Sequence, residues 1–290
     1  MAAREKKKRF TGLNRLSPFQ RFYILFFSVA VLGPFIPLLI RSFSFNWFWP
    51  SLLPTRWWWD ARGTAHQPLG WDYIFSAPSH VGEAIFNTLF IGIIVTIVCT
   101  LVSLPAARVI AWERFRGKNV VEFFLLTPLV VSEIAVGLGI LVTFIQLGLA
   151  GSYLGVIIAH LIPTTPYMVR VLTSVFQGLS KDYEEQARVL GASSLKTLWY
   201  ITMPMILPGI MAGGLFAFLI STNIFLLTFF IGQGGINTLP TMLFAKVIGG
   251  GNLDTVGAEL ALIVSVPGLI LLLITERFLK EEIFSKGFGG

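Results

Sequence analysis

The chain has 290 residues, 54% hydrophobic and only 13% charged, with a mean hydropathy of +0.75 and a formal net charge of +7. Soluble domains carry roughly 25% charged residues, so too few are present here to clothe a water-facing surface, and hydrophobicity this high excludes disorder. A single cysteine, Cys99, excludes a disulfide scaffold, and with three scattered histidines it makes no ordinary zinc site.

The composition predicts an all-α polytopic membrane protein. About 20 apolar residues in a helix cross roughly 30 Å of hydrocarbon. Residues 1–21 form a basic tail that holds seven Lys and Arg, including the run Lys6-Lys7-Lys8-Arg9. The first predicted span is 22–40. Its 19 residues exceed the 7–15 of a signal-peptide core and no small-residue cleavage site follows, so it reads as a retained helix. Residues 41–83 form an outer loop with Trp47, Trp49, Trp57, Trp58, Trp59 and Trp71. Such aromatics suit an apron on the headgroups or a docking surface for an external partner. His66 and His80 in this loop read as solvated side chains. Further spans are predicted over 84–111, 120–145, 153–175, 209–231 and 256–279. Together, 84–280 make a five-helix core, and 281–290 a C-terminal tail.

Lys and Arg fall on alternate sides of these spans. With the N-terminus inside, 17 lie on the inner side, and only Arg41, Arg56, Arg62 and Lys246 on the outer. Six spans return the C-terminus to the inside, as the positive-inside rule favours. Arg170 lies near the inner end of the fourth span. Because the basic residues alternate with apolar stretches in this way, the positive charge does not read as a nucleic-acid site.

The inner segment 180–208 carries more structure than a connection needs. Ser180 is placed to cap a helix whose first turn holds Asp182, Glu184 and Glu185, the charge a helix N-terminus prefers. That helix is predicted to about Leu190, with Gly191 supplying a sharp turn. Ser193 caps a second short helix from Leu195, which Pro204 ends. An amphipathic helix resting on the inner leaflet fits the same pattern.

Polar residues within the spans need a reason, because a charge at mid-membrane costs about 2.5–3.5 kcal/mol on insertion scales. Glu133 lies halfway along the third span, after Pro128, which should kink the helix. It reads equally as a pathway-lining carboxylate and as a buried acid at a subunit interface. His160, beside Pro163 and Pro166, reads as a structural contact. Thr222 and Asn223 lie within the fifth span, and Asn223 suits an interhelical hydrogen bond. Cys99 reads as a small packing residue.

The run Glu184-Glu185-Gln186-Ala187-Arg188-Val189-Leu190-Gly191-Ala192, followed at fixed spacing by Ile201-Thr202-Met203-Pro204, resembles the EAA loop. That loop marks the membrane subunits of binding-protein-dependent ABC importers. Glu185, Ala187, Gly191, Ile201 and Pro204 match its pattern. Gln186 stands where the pattern has alanine and Met203 where it has leucine, both mild changes. The resemblance covers most of 80–280 and is strongest to the spermidine/putrescine permease branch. It implies a type I importer (MetI-like) permease fold in the bacterial inner membrane. The implied partners are a second permease subunit, usually a different chain, two ATP-binding subunits and an external solute-binding protein. Glu184, Glu185, Ala187, Gly191, Ala192, Ile201 and Pro204 are the implied ATPase-coupling residues, and by their charge the acids are suited to pair with basic groups on the partner. Glu133, His160, Thr222 and Asn223 are the translocation-path candidates.

No phosphate-binding G-x-x-x-x-G-K-[ST] loop occurs, since Gly249-Gly250-Gly251 runs into Asn252-Leu253-Asp254 without a lysine. The chain is therefore expected to be no enzyme and to bind no cofactor, with ATP-Mg held by the partner ATPase. Relatives in the polyamine branch often carry acids near 222–223, where this chain has a hydroxyl and an amide. That opens sugars, opines or phosphonates as solutes. A stand-alone secondary transporter would need inverted repeats, and none is visible. A membrane enzyme would need a catalytic cluster beyond Glu133 and His160.

Overall fold

The computed structural model describes residues 17–47, 50–61, 70–250 and 254–287. The run Lys6-Lys7-Lys8-Arg9, Trp49, Arg62, His66 and residues 251–253 lie outside them. The chain divides into two compact units, Met1–Ile74 with Leu253–Leu262, and Phe75–Asn252 with Ile263–Gly290.

In the first unit, helix α1 (Pro18–Leu32) opens on a capping box. The Ser17 hydroxyl accepts from the Gln20 amide at 3.3 Å, and the Gln20 side chain accepts from the Ser17 amide at 2.9 Å. No residue of α1 is buried within the chain. After Gly33 and Pro34 comes α2 (Phe35–Ser42). Strands β1 (Ser44–Asn46) and β2 (Arg56–Trp57) pair antiparallel, with Ser44 opposite Trp57. Short helices α3 (Trp58–Ala61) and α4 (Trp71–Ile74) follow. The Trp57 ring stacks on Trp59 at 4.9 Å, and Trp71 meets Phe43 at 5.9 Å. The described tryptophans of residues 41–83 thus sit in a small folded unit held partly by aromatic contacts.

The second unit holds α5 (Val81–Trp112), α6 (Lys118–Val130), α7 (Glu133–Gln146), α8 (Tyr153–Gln177), α9 (Asp182–Val189) and α10 (Ser194–Thr197). It continues with α11 (Met203–Asn223), α12 (Leu226–Gly232) and α13 (Leu239–Gly250). The last helix, α14 (Thr255–Gly287), begins in the first unit. Helices α5, α8 and α11 pack on one another around buried Cys99, Ala107, Met168, Leu172, Phe176 and Ile206.

Small residues set that spacing. Gly209 and Gly213, one turn apart on α11, face α8. A Cβ on Gly209 would lie 2.4 Å from Val175 Cγ2, whereas one on Gly213 would meet the flexible end of Met168. Valine is stiff at χ1 and cannot swing aside, so Gly209 permits the close approach typical of membrane helices. A Gly209→Ala variant is expected to lose about 1–3 kcal/mol through overpacking. Thermal unfolding of the purified protein would read this as a lowered midpoint, and an unchanged midpoint would refute the packing argument.

Among the described residues four helical stretches are long and apolar enough to span, or five if α6 and α7 count as one bent span. The sixth predicted span falls in α14, whose described apolar part is Thr255–Leu271.

Three sequence expectations need correction. The third span is not merely kinked at Pro128: α6 and α7 meet at 101°. Pro128 lacks a hydrogen-bond donor, and Val131 and Ser132 go extended, so a new helix starts with Glu133 in its first turn. The fifth span is broken too, because Ile224 turns extended after α11 and α12 starts afresh at Leu226. Pro204 does not end a helix. A π-turn over Leu198–Thr202 carries the chain from α10 into α11, and Pro204 sits in the first turn of α11, where its missing N–H costs nothing.

Candidate functional site

Helices α9 and α10 form a compact elbow. Ser180 is not the helix cap that the sequence predicts. Its hydroxyl accepts from the Asp182 amide at 3.2 Å, but Lys181 occupies the cap position. At the other end, the Gly191 amide donates to the Arg188 carbonyl and the Ala192 amide to the Ala187 carbonyl, both at 3.0 Å. This pair of bonds is a Schellman motif, and it requires the left-handed φ of +84° that Gly191 adopts. Ser193 then caps α10 by accepting from the Lys196 amide at 3.4 Å.

Ion pairs and hydrogen bonds tie the elbow to the bundle. The Glu184 side chain is only 7% exposed, and its Oε2 accepts from Arg108 Nη2 of α5 at 2.5 Å. Arg188 approaches the same oxygen at 3.7 Å, and Thr202 Oγ1 donates to Oε1 at 2.7 Å. Burial by itself would raise the Glu184 pKa. The hydrogen bonds from Arg108 and Thr202 and the charges of Arg108 and Arg188 outweigh it and hold the carboxyl below its usual range. A second pair, Lys181 with Glu113 at 3.0 Å, joins the loop to the end of α5.

Two of the residues expected to touch a partner therefore face inward. Glu184 is already paired within the chain, and Ala187 is buried. Glu185, Gly191 and Pro204 are exposed, while Ala192 and Ile201 are half-buried. The outer surface also presents apolar side chains that the sequence reading passed over, chiefly Val189 and Leu190, 86% and 87% exposed, together with Leu195. Apolar side chains this exposed around a short polar helix are a feature that interaction surfaces share.

The second feature is the facing pair of helix breaks. Helix α7 packs on α12. The Leu227 backbone, in the first turn of α12, approaches the Glu133 carboxylate, while Glu133 Oε1 is buried with no hydrogen-bond partner among the described residues. A carboxylate between two helix N-termini meets the positive ends of both dipoles. Thr222 is buried and donates to the Leu219 carbonyl at 3.1 Å. Asn223 is exposed at the break, and its Nδ2 donates to that same carbonyl at 2.8 Å, so its hydrogen bond stays within α11.

His160 bridges the break from the other side. It is fully buried, with Nδ1 at 3.0 Å from Ser221 Oγ of α11 and Nε2 at 2.8 Å from Thr228 Oγ1 of α12. Each ring nitrogen thus holds one half of the broken helix. A His160→Ala variant is expected to cost about 2–3 kcal/mol, from the cavity and the lost bonds together. Thermal unfolding would show it, and wild-type stability would rule out the staple role.

Arg108 and Thr202, the partners of Glu184, are residues that sequence reasoning missed. The signal available was Arg108 itself, a cation at the inner end of an apolar run. Glu259 was missed as well. It is an acid within the last apolar run, fully buried, with neither oxygen hydrogen-bonded among the described residues.

A family model described as "Binding-protein-dependent transport system inner membrane component" matches residues 99–280. The chain is 28% identical over 265 residues to the putrescine transport system permease protein PotI of Escherichia coli (strain K12), covering 88% of each chain. It is 30% identical over 234 residues to the putative 2-aminoethylphosphonate transport system permease protein PhnU of Salmonella typhimurium, covering 73% of this chain and 80% of the relative. Its fold is similar, with a TM-score of 0.68 at 18% identity, to a chain of a bacterial ABC transporter involved in import of the acidic polysaccharide alginate, covering 91% of this chain and 98% of that one.

Proposed function

We propose a working mechanism from the premise that this chain belongs to the binding-protein-dependent transport system inner membrane components, the permease subunits of ABC importers. It is a multi-pass membrane subunit and not itself an enzyme. In our reading it forms half of a translocation pathway, paired with a second and different permease subunit. Two ATP-binding subunits dock on the inner side, where both termini also lie, and an external solute-binding protein delivers the solute.

The observation that carries this reading is the α9–α10 elbow. Its outward face combines Val189, Leu190 and Leu195 with Glu185 and Gly191, and its inward face is locked to the bundle through Glu184 and Arg108. A rigid element, apolar outside and ion-paired inside, transmits a push without deforming. Closure of the ATPase against the elbow would thus move α5 and α11 as a body. The two helix breaks supply the joint. Half-helices α7 and α12 pack together beside Glu133, with Asn223 at the end of α11 before the second break, and discontinuous helices of this kind line transport sites rather than lipid.

The solute is small and polar. Putrescine-type, phosphonate, sugar and opine solutes stay open. Glu133 favours a solute bearing a cationic group, whereas the amide and hydroxyl at 222–223 make a weaker demand. A thermal-shift screen of the partner solute-binding protein against these four classes would choose between them. Co-purification tests the assembly. The chain is expected to bring down an ATPase subunit, and a Leu190→Asp variant is expected to lose it while still inserting. Transport by this chain in liposomes without any ATPase would refute the reading.

A further inference from the structure

A shallow, solvent-open cleft lies between α6 and α8, at the end of the bundle that carries the elbow. Leu125 and Leu126 of α6 and Val169 of α8 make its walls, and Glu122, Arg170 and Thr173 also line it. Arg170 lies seven residues before the end of α8, about 10 Å at 1.5 Å per residue, and Glu122 lies four residues into α6, about 6 Å from its start. Both therefore sit at the depth where headgroups give way to acyl chains.

The polar groups of the cleft lack partners. Thr173 is 6% exposed, and its hydroxyl makes no hydrogen bond among the described residues. Its neighbours on α8 behave differently: Thr164, Thr165 and Ser174 each return the hydroxyl to the carbonyl four residues back. Among the described residues no ion pair includes Arg170 or Glu122, although they share one cleft. Arg170 is exposed and Glu122 half-buried, so a cation and an acid stand unpaired at the mouth of the cleft above the buried Thr173 hydroxyl, an arrangement suited to an occupant that meets all three.

The three groups define that occupant. Arg170 matches a phosphate by its forked donors. The Thr173 hydroxyl can donate to the same anion. Glu122 matches a primary ammonium two carbons away. The aliphatic walls of Leu125, Leu126 and Val169 match hydrocarbon chains. We propose that this cleft seats a phospholipid with a phosphoethanolamine headgroup, its phosphate on Arg170 and Thr173 and its ammonium on Glu122. Bound there, the lipid braces α6 against α8 next to the elbow.

Native mass spectrometry of the assembled importer tests this, with dioleoyl-phosphatidylethanolamine, -phosphatidylglycerol and -phosphatidylcholine supplied in turn. The wild type is expected to retain the ethanolamine lipid over the other two. An Arg170→Gln variant is expected to lower its retention roughly tenfold, the scale of one lost charge-assisted contact, and Arg170→Lys to restore part of it. Glu122→Gln is expected to abolish the preference for the ethanolamine lipid while leaving phosphatidylglycerol retention unchanged. Equal retention of all three lipids by the wild type overturns the proposal, as does undiminished preference in both Gln variants. Competition by glycerophosphoethanolamine at equal concentration overturns it in favour of a site for soluble zwitterions. A structure of the assembly with the paired subunit filling the cleft overturns it in favour of a protein interface.

Discussion

A Glu184→Ala variant is expected to uncouple ATP hydrolysis from uptake while the chain still inserts and assembles. The substitution removes the acceptor for Arg108 and for Thr202 at once and leaves the guanidinium without its carboxylate. Breaking a buried pair costs about 3–5 kcal/mol. Arg108 is 36% exposed and keeps part of its hydration, so about 1–3 kcal/mol is the appropriate range here. A loss of about 2 kcal/mol shifts an ordered loop toward a loose one roughly 30-fold. Proteoliposomes containing the whole importer would report reduced uptake per ATP hydrolysed, and limited proteolysis would report faster cleavage between α9 and α10. Glu184→Gln is expected to do less damage, because an amide oxygen still accepts from Thr202. The pH dependence follows from the sign of the shift. A carboxyl whose folded pKa is depressed stabilises the fold above its unfolded value near 4.5, and that contribution is lost as pH falls further, through the folded value. The brace is therefore intact at neutral pH and fails only in acid, and the Gln variant lacks this acid limb. Normal coupling in Glu184→Ala, with assembly intact, would dispose of the brace.

A Gly191→Asp variant is expected to abolish solute-stimulated ATP hydrolysis and leave membrane insertion unchanged. A Cβ placed on Gly191 meets nothing within 4 Å in this chain, so the substitution creates no internal clash. The φ of +84° disfavours most side chains, but aspartate and asparagine tolerate the left-handed region best. What the variant adds is bulk and charge on the exposed tip of the elbow, where the proposed ATPase groove would have to accept it. Gly191→Asn separates the two contributions, with bulk but no charge, and is expected to fall between wild type and Asp. Hydrolysis that responds normally to solute in Gly191→Asp would show that the tip of the elbow touches no motor.

Some of this architecture was readable from residue order because it depends on local signals. Apolar run length located the helices that became α5 and α8. The Gly191 turn was readable because only a few residues accept its backbone angles, and the cap at Ser193 because its hydroxyl serves the nearest amides. The failures were of another kind. Pro128 announced a distortion, but its size, 101°, depends on what α7 packs against. Pro204 looked like a stop and proved to be a start, because a π-turn ahead of it changed the hydrogen-bond register. No proline or glycine marks residues 224–225, so the break between α11 and α12 left no local trace.

Glu184 draws the line between the two kinds of information. Residue order by itself determined that an acid would sit in the first turn of a short helix, next to a glycine elbow, in a membrane permease subunit. Only the tertiary structure decided that this acid turns inward. Its partners, Arg108 and Thr202, lie 76 and 18 residues away in sequence and reach it only once α5, α9 and the π-turn before α11 have packed. Caps and turns form between neighbours along the chain and are written there. The partner of a buried charge depends on which helix faces arrive together, and that follows from packing the whole bundle.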